Sequence, residues 1–509
     1  MRFSTIVAYL ALLFTSVSAL PAIFEDEFQA LDEQWSDVEK RQNTIYPITG
    51  TGSTQRPRLE IRTLKTKTNQ WNLFLIALRR FHDLPQSDKL SYYQISGIHG
   101  VPRTNWDGVG QCSTCTNADG YCTHDSILFL GWHRVYMALF EQKFVAIAKQ
   151  VAQEYPAGAK RTAMVNAANL LRWPFWDWAA HPPNGGNNMP NFFTTPTIQV
   201  DSPTGSKSIK NPMFRHDFTD SSGLRYSPFV NWKTTLRYPQ SNAATAQSQS
   251  SQAVAALNNI RQNMQDQVYN MMSTCDEFIE VASDAQGQSS SRCSNSLEGI
   301  HNTIHNAVGG TGSSGVSGGH MTYLATAAFD PVFWLHHCNV DRLFALWQGI
   351  YPNSYGGSQV APGNTWTIAQ GTTQNANSPL TPFHRNANGD FWTTNLVRNW
   401  WTFGYTYPEY ANSDGSKGAI QSIVNKLYGP SATATAGTSK RTAMPEPVPQ
   451  ESSAAASPAA DITPLKADNG SLYVKPTGRE PTSDPVATTW LGETLSLSLL
   501  PSLHVSNIN

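Results

Sequence analysis

Apolar positions recur at helical spacing along much of the chain. Ile300, Ile304 and Val308 follow one another at four-residue intervals, which is the spacing of one face of a helix. Further apolar stretches with helical character cover residues 64–84, 127–151, 254–272 and 330–342. The pattern therefore predicts a mainly α protein, with long loops and a few short strands between the helices.

Histidines occupy helical positions within this apolar pattern. His301 and His305 are one turn apart, so a helix directs both imidazoles toward the same point. The Gly- and Ser-rich loop at 309–319 then lets the chain turn back and bring His336 and His337 against them. Imidazole nitrogens suit copper, zinc, iron or nickel, so these helices predict half of a transition-metal site.

Asp341 lies one turn after His337 on the same predicted helix. Carboxylates behind ligating histidines commonly accept the second ring N–H and fix the tautomer. We therefore expect Asp341 to hold the ring of His337 in place.

A second set of three histidines lies earlier in the chain. His99 ends a predicted helix before Gly100, His124 follows a polar loop, and His133 lies within the apolar stretch at 127–151. Two such sets predict a paired metal site inside a four-helix bundle, where side chains from facing helices meet in a dry cavity.

The remaining histidines carry no such pattern. His82 is expected to pack inside the protein or to cap a helix, and His320 is expected to line the entrance of the site. His181, His216 and His384 lie in Pro-, Gly- and Asn-rich surroundings and are expected on the surface.

Charge and the amino-terminal segment indicate the compartment. The net charge is -1 and the pI about 6.9, which does not favour nucleic acid or an anionic membrane as a partner.

Residues 1–19 have a basic start, a short apolar run and a small-residue end, which predicts a secretory signal peptide. Residues 20–41 are acidic and end in Lys40-Arg41, which predicts a propeptide with a dibasic processing site; an ordinary solvated charge pair is the alternative. The chain is therefore expected to be secreted, with no membrane segment after removal of the signal.

The carboxyl-terminal part differs in composition from the body. A globular domain is expected over residues 42–430, followed by an Ala-, Ser-, Thr- and Pro-rich tail at 431–509. The tail contains Lys440-Arg441, a second dibasic pair near which cleavage is expected, and a glycosylation sequon at Asn469.

Six cysteines are too few to act as the framework of a chain with 509 residues. Cys275 and Cys293 flank a polar loop and are the expected disulfide pair, which a secreted protein permits. The pairing of Cys112 and Cys115 stays open, and Cys338 is expected to be a buried thiol.

Five strings surround the two sets of histidines: Gly97-Ile98-His99-Gly100, Cys122-Thr123-His124, Trp132-His133-Arg134, His301-Asn302-Thr303-Ile304-His305 and Asp330-Pro331-Val332-Phe333-Trp334-Leu335-His336-His337. Together they resemble the type-3 copper proteins, and among these the secreted ascomycete tyrosinases and catechol oxidases. The resemblance runs from about Tyr46 to Glu409. It includes residues 403–408, which are similar to the aromatic motif that closes the family's catalytic domain.

The resemblance implies two copper ions, each bound by one of the two histidine sets. His99, His124 and His133 would bind copper A, and His301, His305 and His337 would bind copper B. Because the family uses the second histidine of the adjacent pair, His336 is expected to lie behind the ligands.

Three side chains near the implied ligands have expected roles. Cys122 matches the position at which fungal members of the family carry a thioether bond to the following histidine, here His124; a free thiol is the alternative. Phe129 and Phe333 each precede a ligand by four residues and can contact copper-bound imidazoles one turn away, or can simply belong to the core.

The resemblance also implies an activity, the oxidation of phenols to o-quinones by O2. In the family, a Glu and an Asn at positions matching Glu298 and Asn302 are proposed to hold a water that deprotonates an incoming monophenol. A phenol has a pKa of about 10, so binding as phenolate at neutral pH needs a base. We therefore predict activity on monophenols as well as o-diphenols, with both side chains at the rim of the site.

Several alternatives share part of this pattern. If Glu298 is only a surface acid, the chain is a catechol oxidase; an o-aminophenol oxidase would share every ligand. An oxygen carrier would bind O2 and leave phenols untouched. A zinc hydrolase would need an open coordination position and a general base beside one metal.

Overall fold

The computed structural model describes residues 44–116, 118–285, 293–312 and 315–433. The predicted signal peptide, the predicted propeptide and all of the tail beyond residue 433, with Asn469, lie outside these ranges and stay predictions. Among the described residues, no helix is both long enough and apolar enough to cross a membrane.

Helices dominate the described chain, and their bounds are as follows: α1 Ile61–Lys65, α2 Thr68–Asp83, α3 Tyr92–Gly97, α4 Phe129–Gln153, α5 Ala159–Leu170, α6 Ser250–Thr274, α7 Phe278–Ala282, α8 Leu297–Gly309, α9 Pro331–Ile350, α10 Pro408–Ala411 and α11 Lys417–Tyr428. Single 3₁₀ turns occupy Pro183–Gly185, Asn191–Phe193, Ser222–Leu224, Phe229–Asn231, His320–Thr322, Ala327–Phe329 and Trp400–Phe403.

The strands are short and form two-stranded sheets: β1 Arg56–Pro57, β2 Thr197–Ser202, β3 Gly205–Lys210, β4 Ser358–Val360, β5 Thr373–Asn375, β6 Pro379–His384, β7 Phe391–Thr393 and β8 Tyr405–Thr406. β2–β3, β4–β5 and β6–β7 are antiparallel pairs of neighbouring strands, whereas β1 pairs in parallel with β8 from the other end of the domain.

Four long helices build the centre of the molecule. α2 packs on α4, α4 on α9, and α9 on α8, so their apolar faces share one core. α4 and α9 are buried along nearly their whole length, which matches the apolar stretches from which they were predicted. The prediction of a mainly α protein with a helical core is confirmed.

Local sequence determines where the two histidine-rich helices begin. The Ser296 side chain accepts a hydrogen bond from the Gly299 N–H at 2.9 Å and caps α8. Asp330 does the same for α9 through the Val332 N–H at 2.9 Å, and Pro331 occupies the first helical position, where its missing N–H costs nothing.

A buried charge network joins both ends of the domain to the core. Asp341 on α9 accepts hydrogen bonds from Arg134 Nε at 2.6 Å and Arg58 Nη1 at 3.1 Å. Its carboxylate also accepts from the hydroxyls of Tyr405 and Tyr407, each at 2.5 Å. The aromatic motif at 403–408 thus closes the domain by binding a carboxylate in the core.

The expected role of Asp341 at His337 is therefore wrong. His337 Nδ1 has no hydrogen-bond partner among the residues that the structure describes, because the Asp341 carboxylate turns toward two buried guanidinium groups. A buried charge without a counter-charge costs far more than a lost ring N–H hydrogen bond. The competing arginines come from distant parts of the chain, and helical spacing gives no sign of them.

Two disulfides occur among the residues that the structure describes. Cys275 and Cys293 form the expected pair, with Cα atoms 4.7 Å apart. Cys112 and Cys115, which the sequence left open, form a second pair, and Cys338 is a buried thiol.

Candidate dinuclear metal centre

The imidazoles of α8 and α9 converge on one point. The Nε2 atom of His301 lies 3.0 Å from that of His305 and 3.2 Å from that of His337, and the remaining pair is separated by 3.4 Å. All three side chains are fully buried. Three nitrogens that face one another in a dry core form a donor set for a single cation.

Backbone carbonyls determine which ring nitrogen faces the centre. The Nδ1 atoms of His301 and His305 lie 3.1 Å from the Glu298 carbonyl oxygen and 2.8 Å from that of Met321. A carbonyl only accepts, so each Nδ1 carries the proton and donates it, and each Nε2 keeps its lone pair.

The earlier histidines form a matching group. The rings of His99, His124 and His133 are 5.4 to 5.8 Å apart. Nδ1 of His99 donates to the Leu324 carbonyl at 2.9 Å, and Nδ1 of His133 donates to the Phe129 carbonyl at 2.8 Å. The free Nε2 of His99 finds no hydrogen-bond partner in the described part of the chain, which is what an atom reserved for a metal would show.

The two groups lie side by side in one pocket. The rings of His133 and His337 stack with centroids 4.5 Å apart and planes 19° apart, and those of His124 and His301 are 6.2 Å apart. His124 is the only one of these six histidines that is partly exposed. The pocket therefore opens toward solvent beside His124.

Burial keeps these imidazoles neutral. The pKa of each of the six is lowered from its ordinary value, first by desolvation, and the pKa of His99 falls to about 3. A neutral imidazole offers a lone pair without first losing a proton. Two groups of neutral nitrogen donors, with Nε2 atoms that converge in the second group, fit two copper ions.

Phe129 and Phe333 lie between the two groups. Phe129 contacts His133 and His301 with ring centroids 4.4 and 5.0 Å away. Phe333 contacts His337 at 4.1 Å and His99 at 5.0 Å. Each phenylalanine therefore touches at least one histidine of each set and limits how the rings can turn.

His336 is close to the second group but is oriented differently. A ring nitrogen of His336 lies within 4.8 Å of those of His301, His305 and His337. Its ring stacks almost parallel on His301, with centroids 4.9 Å apart and planes 9° apart. Stacking places its face, rather than a nitrogen lone pair, against the neighbouring imidazole.

Cys122 is in contact with two histidines of the first group. Its Sγ lies 3.2 Å from Nδ1 and 3.7 Å from Nε2 of His124, and 3.3 Å from Nε2 of His133. Burial, with the nearby Glu298 carboxyl, raises the pKa of the Cys122 thiol well above its ordinary value.

Glu298 and Asn302, which were expected to face the rim of the site, are both buried. The Glu298 carboxylate accepts the backbone N–H groups of Asp125 and Asp284, each at 2.8 Å. Burial, followed by the charges of these two acids, raises the pKa of Glu298 well above its ordinary value. The interpretation of Glu298 as a surface acid is therefore wrong, since its side chain is buried and bound by the loop residues Asp125 and Asp284.

The sequence could not indicate the groups that hold the site together through their backbone. The N–H groups of Asp125 and Asp284 and the carbonyls of Met321 and Leu324 are such groups. Backbone atoms are the same in every residue, so no residue type marks them.

Three of the other histidines were misplaced. His216 and His384 are buried rather than on the surface, and Nδ1 of His384 bonds to Asp107 at 2.9 Å. His320 does not line an entrance but lies in a separate aromatic cluster, where its Nδ1 accepts from the Leu236 N–H at 3.1 Å. Pro- and Gly-rich loops in this chain pack down onto the core, so loop composition alone misjudges burial.

Comparisons with known proteins agree with this geometry. Residues 89–350 match the model of the common central domain of tyrosinase. The chain is 37% identical over 403 residues to a tyrosinase of Podospora anserina, covering 75% of this chain and 69% of that protein. It is also 37% identical over 389 residues to a tyrosinase of Neurospora crassa, covering 73% of this chain and 56% of that protein. A crystal structure of latent and active mushroom tyrosinase superimposes with a TM-score of 0.69 at 30% identity, over 77% of this chain and all of that one.

A helical core with two adjoining groups of neutral imidazoles defines a dinuclear copper oxidoreductase. The chain belongs to the tyrosinase family, and it is a tyrosinase-like copper oxidase.

Proposed function

We propose that this chain uses O2 to oxidise both monophenols and o-diphenols to o-quinones. The observation that carries the proposal is the buried pair of Glu298 and Asn302 on α8, directly beside the candidate ligand His301. The Asn302 Oδ1 atom is buried and has no hydrogen-bond donor within the described ranges. A water held there would have an acceptor in Asn302 and a carboxyl of raised pKa nearby in Glu298.

The proposed ligands are one trio for each copper ion. His99, His124 and His133 would hold copper A, supported by the contacts among their rings and the unpartnered Nε2 of His99. His301, His305 and His337 would hold copper B, supported by Nε2 separations of 3.0 to 3.4 Å. The stacked orientation of His336 supports its place behind the ligands.

Bound copper would supply the electrons that activate O2 and the positive charge that attracts a phenolate. The protein's residues must then bring a flat ring to the opening beside His124 and remove its phenolic proton. A carboxyl whose pKa is raised above its ordinary value is a stronger base for that proton than an ordinary carboxylate. We assign this step to Glu298, acting through a water positioned by Asn302.

We also propose that Cys122 and His124 are joined by a thioether. The sulfur lies near both nitrogens of the His124 ring, which supports an approach to the ring edge between them. Such a bond would hold His124, which lies on a loop rather than on a helix, at the opening of the pocket.

One observation favours an alternative, an oxidase limited to o-diphenols or o-aminophenols. Both Glu298 oxygens already accept a backbone N–H, so the carboxyl could serve only to fix the loops at 125 and 284. Each oxygen retains a second lone pair, so the two roles are compatible.

Replacement of Asn302 by Gly separates these possibilities. If Asn302 positions the deprotonating water, the ratio of monophenolase to diphenolase kcat/KM falls, because only the monophenol needs a base. Each tenfold fall corresponds to about 1.4 kcal/mol of lost transition-state stabilisation. The assay is the initial rate on tyrosine and on catechol at one pH.

Asn306→Gly is the matched control. Asn306 follows His305 as Asn302 follows His301, and it lies one turn further along α8. Both changes weaken the helix by a similar few tenths of a kcal/mol. An unchanged ratio in Asn302→Gly, or an equal fall in Asn306→Gly, would remove the proposed role.

Secretion and processing are further proposals. The amino-terminal pattern at 1–41 supports export followed by cleavage after Lys40-Arg41, and Lys440-Arg441 supports trimming of the tail. Mass spectrometry of the protein from culture medium tests them: a chain beginning near Gln42 agrees, and a chain retaining residues 20–41 does not.

A further inference from the structure

A second place in the fold brings imidazoles together without hydrogen-bond partners. His82 at the end of α2 and His216 are buried, with exposed fractions of 5% and 1%. Their rings meet edge to face with centroids 5.0 Å apart. Neither Nδ1 nor Nε2 of either ring has a hydrogen-bond partner within the described ranges.

This arrangement is unusual for structural histidines. A buried neutral imidazole normally donates a hydrogen bond from one nitrogen and accepts one at the other, because a buried polar atom without a hydrogen bond costs free energy. His384 follows that rule through Asp107, and His320 satisfies Nδ1 through Leu236. The ring nitrogens of His82 and His216 instead have no hydrogen-bond partner among the described residues, as is the case for the Nε2 atom of His99 that would face copper.

One member of the pair, His82, borders solvent. His82 lines a surface cleft of about 480 Å³, whose walls also include Arg79, Asp83, Lys210 and Asp217. The ring of Tyr92 packs against both imidazoles, with its centroid 4.0 Å from that of His82 and 4.7 Å from that of His216. His82 therefore lies between the aromatic ring of Tyr92 and an open cleft, and His216 is buried beside it.

We propose that His82 and His216 form an accessory site for one copper(I) ion, separate from the dinuclear centre. Two neutral imidazoles are sufficient donors for a monovalent copper ion of low coordination number, and imidazole is a suitable copper ligand. No proton has to be displaced, since burial lowers the pKa of both groups, that of His216 to about 3.

The charges around the cleft favour a monovalent ion over a divalent one. Asp83 is paired with Arg79 at 2.7 Å, and Asp217 with Lys210 at 2.9 Å and Arg215 at 3.1 Å. Both carboxylates are thus already engaged, and a four-coordinate zinc ion would have to break these pairs. The nearby guanidinium of Arg79 also repels a dication twice as strongly as a monocation.

Anaerobic titration of the metal-free protein with Cu(I), against a chromophoric Cu(I) chelator, tests the proposal. The wild-type chain should bind three ions, two in the dinuclear centre and one here. His82→Gln and His216→Gln should each bind two, because Gln keeps a polar side chain but is a poor copper ligand. His181→Gln, at a half-buried histidine outside the cleft, is the matched control and should bind three.

Saturation of the wild type at two ions, or three ions in both cleft variants, would overturn the proposal. A variant that does not fold is bypassed by soaking wild-type crystals with Ag(I), a stand-in for Cu(I). An anomalous peak between the rings of His82 and His216 supports the site, and its absence there overturns it. Neither outcome depends on oxidase activity, so the catalytic proposal stands or fails separately.

Discussion

Replacement of Asp341 by Asn tests the buried network that closes the domain. The change keeps the shape of the side chain but leaves the guanidinium of Arg134 without its carboxylate partner, while Arg58 retains Glu141 at 2.8 Å. Removal of one partner of a buried ion pair costs about 3–5 kcal/mol. With an unfolding entropy near 2.1 cal/mol/K per residue and roughly 390 residues, this corresponds to a fall in Tm of about 4–6 °C.

Calorimetry of copper-loaded protein at one scan rate measures the shift. Asp390→Asn is the control, because Asp390 pairs with Arg385 at 2.7 Å on the surface, with both side chains about half exposed. Surface pairs contribute about 0–1 kcal/mol, so that variant should shift Tm by about 1 °C or less. Equal shifts in the two variants would refute the importance of the buried network.

The pH dependence of the same variant has a definite sign. Burial tends to raise the pKa of Asp341, but Arg134 and Arg58 outweigh it and the pKa is lowered. A carboxyl with a lowered folded pKa contributes its full stability above its unfolded pKa of about 3.9, and loses it as the pH falls through the lower folded value. The difference in unfolding free energy between wild type and Asp341→Asn should thus be constant down to about pH 4 and shrink below it. A difference that shrinks between pH 8 and 5 would contradict the lowered pKa of Asp341.

Two further changes probe the copper pocket. In the wild type, the peptide that contains Cys122 and His124 should be two hydrogen atoms lighter than the mass calculated for a free thiol. In Cys122→Ser, the same peptide should have the mass calculated from its sequence. A wild-type peptide with the mass of the free thiol would contradict the thioether. Phe333→Ala removes the ring that contacts His337 and His99, so it should lower stability by about 3–5 kcal/mol and reduce copper content, measured by calorimetry and metal analysis; unchanged copper content would show that the ring does not position the ligands.

The helices that carry the ligands could be predicted because their signals are local. Apolar spacing, the Ser296 and Asp330 caps and Pro331 all lie within a few residues of the helices they start. The convergence of His99 with His337 could not follow from spacing, because it depends on how distant helices pack. That the two histidine sets meet in one dinuclear site was predicted from the resemblance of several motifs to one family, and not from periodicity.

The errors have a common physical origin in contacts between distant segments. Asp341 was assigned to His337, four residues away, but Arg58 and Arg134 reach it from far along the chain. The alternative of Glu298 as a surface acid failed because the loop residues that bind its carboxylate carry no hydrophobic pattern. His216 was placed on the surface for a similar reason, although its loop packs onto the core.

Anomalous diffraction at the copper absorption edge, on crystals of the copper-loaded enzyme, tests the central claim most directly. Two neighbouring peaks are expected in the helical core, one among the Nε2 atoms of His301, His305 and His337 and one beside His99, His124 and His133. A core with one peak, with widely separated peaks, or with copper bound through His336 in place of His337 would contradict the account.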